Sequence, residues 1–189
     1  MHIALSGELG AGCTEVGQIL CKELKTKCIS SADIVRSIVL DARAVHPTES
    51  FYEFEQHVRS GEVNLEKMMI GKIDELLEAG DIIVEGRSAF MLLNRKEVFK
   101  VLLVASQAVR IGHVAERRNI TAEEAREAVR VSDSERKHMT ENLFRKNWLD
   151  PHNYDLVINT DLRSHKQVAN LIFEAIKQKT SSLASPLQQ

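Results

Sequence analysis

The chain has little net charge, few cysteines and no long apolar run. Its formal net charge is −2 over 189 residues, so bulk electrostatic attraction to nucleic acid or to an anionic membrane is not expected. The longest apolar stretches, such as residues 98–105, are too short to span a bilayer. Cys13, Cys21 and Cys28 lack a metal-binding spacing such as C-x-x-C, and their odd number predicts reduced thiols in a cytoplasm.

Internal repeats and low-complexity blocks are also lacking, and a chain of this length favours one domain. The first apolar segment begins at once, without the basic segment that leads into a secretion signal. We therefore predict a cytoplasmic protein with one domain over residues 1–180 and a flexible tail over residues 181–189.

Short apolar segments alternate with segments of helical periodicity. The predicted strands are "HIALS", "KCIS", "DIIVEGR", "FKVLLVA" and "YDLVINT". The predicted helices are residues 14–25, "SADIVRSIVLDARA", "PTESFYEFEQHVRSGEV", "NLEKMMIGKIDELLEAG" ending at Gly80, residues 106–148 with a break near Asn119, and "SHKQVANLIFEAIKQK". This alternation predicts a three-layer α/β/α fold whose parallel sheet is covered on both faces. Ligands of such sheets bind at the carboxyl ends of the strands.

The first of these ends carries the glycine-rich segment "SGELGAGCTEV", which leads into a helix. It meets the phosphate-binding pattern G-x-x-x-x-G-K-[ST] at Gly7, Gly12 and Thr14, but Cys13 stands where the pattern has lysine. Glycines there let successive amides point at an anion beside the helix N-terminus. Glu8 would repel phosphates unless its side chain points away from them. A simple strand-to-helix turn is the alternative interpretation.

A dinucleotide-binding fingerprint fits this segment less well. That fingerprint has the order G-x-G-x-x-G and an acidic residue at the end of the second strand. The order here is G-x-x-G-x-G, and the second strand ends in Ser30-Ser31. Neither Tyr52 nor Tyr154 is followed by lysine four residues on, as a short-chain dehydrogenase requires. The sequence therefore favours phosphate binding over dehydrogenase chemistry.

Charged residues follow the second and third predicted strands. Asp33 and Arg36 share a helix face. One interpretation is that Arg36 binds a substrate phosphate through two hydrogen bonds. The alternative is a surface ion pair between the two residues at the start of the helix. Glu85 ends a buried strand, the position of a carboxylate that orients magnesium, and Arg87 reaches the same crevice.

Arginines are frequent between residues 110 and 136. A solvated helix face explains several of them, but explains Arg117 and Arg118 beside the predicted break less well. Phosphoryl transfer depends on positioning and on charge neutralisation, so arginines on a closing lid suit that chemistry. The histidines at 113, 138 and 152 have no metal spacing, and we expect them at the surface.

Taken together, these motifs resemble the cytidylate kinase family of P-loop nucleoside monophosphate kinases. The resemblance rests on the glycine-rich segment with "LCKEL", then "SSADIVR", "DIIVEGR", "RRNIT", "DSERK" and "YDLVINTD", in order from Met1 to about Lys179. It implies a P-loop NTPase fold with a five-stranded sheet, an acceptor-binding part over about residues 31–80 and a helical lid over about residues 106–148.

The resemblance also implies transfer of the ATP γ-phosphoryl group to CMP or dCMP with Mg²⁺. The implied donor-phosphate residues are Gly7, Gly10, Ala11, Gly12, Cys13 and Thr14, with Thr14 reaching the metal. The implied acceptor-binding residues are Ser31, Asp33, Arg36, Arg130, Asp133 and Arg136. The implied catalytic residues are Glu85, Arg87, Arg117 and Arg118. The partners would be small nucleotides, with neither nucleic acid polymer nor membrane, and the protein would be a monomer or a homodimer.

The missing lysine leaves two functions open. Loss of one charged transition-state contact costs about 3–4 kcal/mol, which predicts a lower rate unless a lid arginine substitutes. The chain is therefore either an active kinase that uses arginines or a degenerate kinase-like protein that binds a nucleotide without turnover.

Overall fold

The computed structural model describes residues 1–45, 56–57, 59–144 and 147–184. Within these residues, five parallel strands form one sheet: β1 (His2–Gly7), β2 (Lys27–Ser30), β3 (Ile82–Glu85), β4 (Val98–Val104) and β5 (Leu156–Asn159). Their order across the sheet is β2-β3-β1-β4-β5, which places β1 at the centre. The predicted fold class is confirmed, and the carboxyl ends of all five strands meet at one edge.

Helices connect these strands. The longer ones are α1 (Cys13–Leu24), α2 (Ser31–Val45), α3 (Leu65–Glu78), α4 (Gln107–Arg118), α5 (Ala122–Phe144) and α6 (His165–Ala184). Short 3-10 helices cover Gly86–Leu92 and Pro151–Asn153. In the part of the chain that the structure describes, no helix has the length and apolar character needed to cross a membrane. The helix predicted over residues 47–63 lies mostly outside the described residues.

Side chains of the central strand alternate between two cores. Ile3 and Leu5 pack with α1 and α6, whereas Ala4 packs with α2 and α3 on the opposite face. Alternation is expected because successive side chains of a strand point to opposite faces of the sheet. The helices therefore form one layer on each face, as in the predicted three-layer arrangement.

The strand predicted to continue through Arg87 is shorter than expected. It ends at Glu85, and Gly86 turns the backbone at φ 81° into a 3-10 helix. The amide of Ser88 then donates to the Ser31 hydroxyl oxygen at 2.9 Å. This hydrogen bond ties the end of β3 to the start of α2, so Arg87 leaves the sheet toward α2.

The predicted break near Asn119 is confirmed. Asn119 adopts φ 53° after α4, and a capping box restarts the helix. In this box the amide of Glu124 donates to the Thr121 hydroxyl at 3.2 Å, while the amide of Thr121 donates to the Glu124 carboxylate at 2.8 Å. The helices on either side pack together through Val114 and Val129.

Two helix ends differ from the sequence-based expectation. Helix α3 is capped by Ala79, and Gly80 follows at φ 142°. Helix α6 continues to Ala184, beyond its predicted end at Lys179. The reason is that Pro186 is the first residue in this segment that cannot continue a helix.

Truncation of Leu20 tests the packing of α1 on the sheet. Leu20 is fully buried, so Leu20→Ala is expected to lower the free energy of unfolding by about 2–5 kcal/mol in urea denaturation. The matched control is Leu162→Ala, because Leu162 is 93 % exposed and its truncation should change stability by less than about 0.5 kcal/mol. Equal losses in the two variants would contradict this packing.

Candidate active site

The loop over residues 7–14, called the phosphate loop below, joins β1 to α1. Gly10 and Gly12 adopt φ 89° and φ 94°, values that L side chains rarely adopt. A Cβ on Gly10 would also lie 2.6 Å from the carbonyl oxygen of Arg110. The loop therefore packs directly against α4, and it leads into the N-terminus of α1, whose first amides have no partner within the helix. Such a terminus favours anions.

A cavity of about 60 Å³ lies against this loop. It brings together residues from four parts of the sequence: Gly7, Glu8, Leu9, Gly10, Gly12, Cys13, Thr14, Glu85, Gly86, Arg117 and Arg136. Most of them were candidates from the sequence. We call this space the loop cavity.

Two oxygen ligands meet at the base of the loop cavity. The Thr14 hydroxyl donates to the Glu85 carboxylate at 3.3 Å. Burial raises the pKa of Glu85, and the hydrogen bond from Thr14 opposes that shift. A hydroxyl and a carboxylate fit Mg²⁺, which keeps several waters and uses few protein ligands besides phosphate oxygens. In the described part of the chain, no three His, Cys, Asp or Glu residues gather as a metal site.

Cys13 contributes no positive charge at the lysine position. Its sulfur lies so close to Gly7 that a Cβ on Gly7 would overlap it. Burial raises the pKa of the Cys13 thiol to about 12, and the neighbouring Glu85 carboxylate adds to that shift. The thiol is therefore protonated and neutral at neutral pH.

Glu8 of the phosphate loop pairs with Arg110. The two side chains form an ion pair at 3.2 Å, and the amide of Ala105 lies 3.5 Å from the second Glu8 oxygen. The same Arg110 guanidinium donates to both carboxylate oxygens of Asp133 at 2.9 Å. We call Glu8, Arg110 and Asp133 the Arg110 cluster.

The burial of Arg110 was not predicted from the sequence, because this residue was grouped with the arginines of a solvated helix face. Its side chain is only 6 % exposed. The available signal was its spacing, since Arg110 precedes the buried Val114 by four residues and therefore lies on the buried face of α4.

A second, larger cavity of about 650 Å³ lies between α2, α3 and the start of the 3-10 helix after β3. Its polar side chains are Ser31, Arg36, Arg87 and Ser88. The remaining lining is apolar and consists of Ala32, Val35, Val39, Leu40, Met69 and Met91. We call this space the α2 cavity. Consecutive residues line the two cavities, since Gly86 lines the loop cavity and Arg87 lines the α2 cavity.

Asp33 forms a helix cap at the edge of this region. Its carboxylate accepts from the amide of Ser30 at 3.0 Å and from the Ser30 hydroxyl at 2.7 Å. These hydrogen bonds lower the pKa of Asp33. Arg36 pairs with Asp33 at 3.2 Å, so the ion pair at the helix start exists, and Arg36 also lines the α2 cavity.

The lid arginines lie in different environments. Arg117 lines the loop cavity and pairs with Glu15 at 3.5 Å, whereas Arg118 is exposed. Arg130 is 67 % exposed and pairs with Glu127 at 2.6 Å, away from both cavities. Arg136 is buried at the loop cavity.

His113 is exposed, as the sequence predicts, and it lies beside Gly10 of the phosphate loop. Its Nδ1 is 2.9 Å from the carbonyl oxygen of Gly10. Because a carbonyl oxygen only accepts hydrogen bonds, Nδ1 is the donor. His165 stands opposite with a ring separation of 6.0 Å. Both line a cavity of about 270 Å³ together with Gly12 and Arg117. Sequence reasoning missed this cavity because isolated histidines carry no spacing signal.

Substitution of Arg110 tests the Arg110 cluster. Arg110→Met leaves the Glu8 and Asp133 carboxylates without their cation, which should lower the free energy of unfolding by about 3 kcal/mol at pH 8. Burial already raises the pKa of Glu8, and loss of Arg110 raises it further. The folded state then binds its proton more readily than the unfolded state, so the loss should shrink as pH falls toward 5.

Urea denaturation at the two pH values measures this effect. The control is Glu8→Gln in the Arg110→Met background, which should restore part of the stability at pH 8 and remove part of the pH dependence. A loss that is the same at both pH values would contradict the assignment.

Comparisons with known proteins place this site in a family. The profile of the cytidylate kinase-like family matches residues 2–162. A cytidylate kinase of Pyrobaculum neutrophilum is 29 % identical over 177 residues, covering 92 % of this chain and 91 % of that protein. A cytidylate kinase of Methanobrevibacter smithii is 27 % identical over 187 residues, covering 94 % of this chain and 99 % of that protein.

Solved structures share the fold. An uncharacterized protein from Eubacterium ventriosum superposes with a TM-score of 0.73 at 15 % identity, covering 94 % of this chain and 98 % of that one. Shikimate kinase from Acinetobacter baumannii gives a TM-score of 0.56 at 18 % identity, covering 94 % of this chain and 93 % of that one. Since the family profile spans most of the sequence and the fold agrees with P-loop kinases, the chain belongs to the cytidylate kinase-like family.

Proposed function

We propose that this protein is a nucleoside monophosphate kinase, which transfers the γ-phosphoryl group of ATP to CMP or dCMP with Mg²⁺. The observation that carries the proposal is the boundary at Gly86 and Arg87, consecutive residues of which the first lines the loop cavity and the second lines the α2 cavity. One cavity has the amides and cations that hold phosphates, and the other has room for a nucleotide. Transfer requires the donor and acceptor phosphates to meet, and this boundary is where they would do so.

On the donor side, the phosphate loop holds the triphosphate through main-chain amides at the start of α1. Such amides are fixed before the substrate binds, so they stabilise developing charge without reorganisation. The Thr14 hydroxyl and the Glu85 carboxylate would hold Mg²⁺ directly or through water. When bound, this ion neutralises charge on the donor phosphates.

On the acceptor side, Arg87 and Arg36 supply positive charge at the mouth of the α2 cavity. Arg87 pairs with Glu135 of α5 at 2.9 Å and is half exposed, so its guanidinium can exchange that carboxylate for an acceptor phosphate. The apolar lining from α2 and α3 packs against the rest of the nucleotide. The Ser31 and Ser88 hydroxyls add hydrogen-bonding groups at the same wall.

The reaction needs no protein nucleophile. An oxygen of the acceptor phosphate forms a bond to the γ-phosphorus, the bond from that phosphorus to the β–γ bridging oxygen breaks, and the electron pair stays on the β-phosphate of ADP. Charge is conserved between the two substrates and the two products when their phosphates are fully ionised. The protein's contribution is therefore positioning, charge neutralisation and exclusion of water.

Cys13 favours a second candidate function. A neutral thiol at the lysine position fits a protein that binds a nucleotide and does not turn it over. The paired cavities and the arginines around them favour the kinase, because a pure sensor has no need for an acceptor site beside the donor site.

Truncation of Arg87 tests the proposed acceptor contact. Arg87→Ala is expected to lower kcat/KM for CMP by about 100-fold or more, because it removes a cation beside the transferring group. A coupled assay of ADP release with ATP and Mg²⁺ measures the rate with CMP, dCMP, UMP and AMP in turn. The matched control is Arg126→Ala, since Arg126 also pairs with a carboxylate, that of Glu123, but lines neither cavity.

The results separate the two candidate functions. Turnover that Arg87→Ala loses and Arg126→Ala keeps supports the kinase. A rise in melting temperature with nucleotide, without ADP release for any acceptor, supports the sensor. The absence of both effects in the wild-type protein would contradict both candidates.

A further inference from the structure

Arg136 is a buried cation for which the described residues provide no ion-pair partner. Its side chain is 7 % exposed, and its Nε has no hydrogen-bond partner. One terminal nitrogen donates to the Ser132 hydroxyl and, at 3.3 Å, to the Ser132 carbonyl oxygen. Within the described residues, no carboxylate lies within ion-pair distance of this guanidinium.

Such an arrangement is unfavourable unless an anion completes it. Burying a charge without a counter-charge costs several kcal/mol, so buried cations in proteins are normally paired. Burial lowers the pKa of Arg136, and the nearby positive charge of Arg87 lowers it further. The Asp133 and Glu135 carboxylates partly oppose this shift in the pKa. The surroundings of Arg136 therefore favour a negatively charged ligand.

The location of Arg136 identifies the kind of ligand. It lines the loop cavity together with Gly10, Gly12, Cys13 and Thr14. Its positive charge is close enough to act on the Cys13 thiol, because it partly offsets the rise in the pKa of Cys13 that burial causes. Cys13 occupies the position at which the phosphate-binding pattern has lysine. The buried Arg136 guanidinium therefore lies at the same small cavity as Cys13, the position that lacks the lysine charge.

We propose that Arg136, reaching in from α5, supplies to the donor phosphates the positive charge that lysine supplies in the usual loop. This inference rests on the proposed function, in which the loop cavity holds the phosphates of ATP. Arg136 is then a phosphate-binding residue that compensates for Cys13.

The other arginines near the loop are less suited to this role. Arg110 already pairs with two carboxylates, those of Glu8 and Asp133, although its Nε has no partner. Arg117 is 43 % exposed and already pairs with Glu15, so solvent and a carboxylate weaken its charge. Among the described residues, Arg136 has no carboxylate at ion-pair distance, and burial strengthens its interaction with an anion.

Calorimetric titration with Mg²⁺-ATP and with tripolyphosphate tests this role. Arg136→Met removes the charge and keeps most of the side-chain volume, and we expect the Kd for both ligands to rise about 10- to 100-fold. Arg136→Lys should retain most of the binding. Arg126→Met is the matched control, because Arg126 lies on the same helix, pairs with Glu123 and lines neither cavity, and its Kd should stay within twofold of wild type.

The melting temperature separates ligand binding from a structural role. Without ligand, Arg136→Met should melt at the same temperature as wild type or higher, because it removes an uncompensated buried charge. The upward shift that Mg²⁺-ATP gives the wild-type protein should be mostly lost in this variant. A lower melting temperature without ligand and an unchanged shift with ligand would assign Arg136 a structural role and overturn the proposal.

A double-mutant cycle tests the compensation itself. Cys13→Lys should tighten binding in the Arg136→Met background more than in the wild-type background, because one cation in the cavity makes the second partly redundant. Additive effects would overturn the proposed compensation. So would an Arg136→Met variant that binds both ligands within twofold of wild type.

These outcomes also separate this inference from the proposed function. Triphosphate binding that depends on Arg136, without turnover of any acceptor, supports the inference and contradicts the kinase. Turnover of CMP that is unchanged in Arg136→Met supports the kinase and overturns the inference.

Discussion

The buried ion pairs of Arg110 hold the site together. The guanidinium on α4 joins Glu8 of the phosphate loop to Asp133 of α5, and each of these charges would be costly to bury alone. The backbone adds to this constraint, because Gly10 packs against the Arg110 carbonyl where no Cβ would fit. The loop, α4 and α5 are therefore fixed to one another. This fixed arrangement is what places Arg117 and Arg136 at the loop cavity.

The same contacts balance the negative charge of a phosphate loop that contains Glu8 and lacks the usual lysine. The negative charge of Glu8 is balanced by its ion pair with Arg110. The arginines that line the loop cavity, Arg117 and Arg136, lie on α4 and α5. The loop itself provides no cationic side chain, since Cys13 stands at the lysine position.

Much of this could be predicted from the sequence. The strands could be located because buried parallel strands form continuous apolar runs, as in residues 82–84 and 101–104. The phosphate loop could be predicted because its backbone adopts positive φ angles at Gly10 and Gly12, which favour glycine. The turn at Gly86 was not predicted, since a glycine after an apolar run does not reveal the sign of its φ. The partners of Arg110 lie more than 20 residues away on either side, and local periodicity does not identify such contacts.

The arginines of α5 show that sequence spacing alone does not separate buried from exposed positions on one helix. Arg130, Asp133 and Arg136 follow each other at three-residue steps, which suggested a common face. Each residue turns an α-helix by about 100°, so Arg130 and Arg136 lie about 120° apart around its axis. Arg136 continues the buried row of Ala125, Val129 and Ser132, whereas Arg130 points to solvent. Only the packing of α5 on the loop distinguishes the two.

The central claim is that a phosphate loop without its lysine still binds a nucleoside triphosphate, with a helix arginine in the lysine's place. A crystal structure with a non-hydrolysable ATP analogue, Mg²⁺ and CMP tests it most directly. The account predicts phosphate oxygens within hydrogen-bonding distance of the amides of residues 10–14 and of the Arg136 guanidinium. An ordered, empty phosphate loop with the triphosphate bound elsewhere, or with Arg136 turned away from it, would contradict the account.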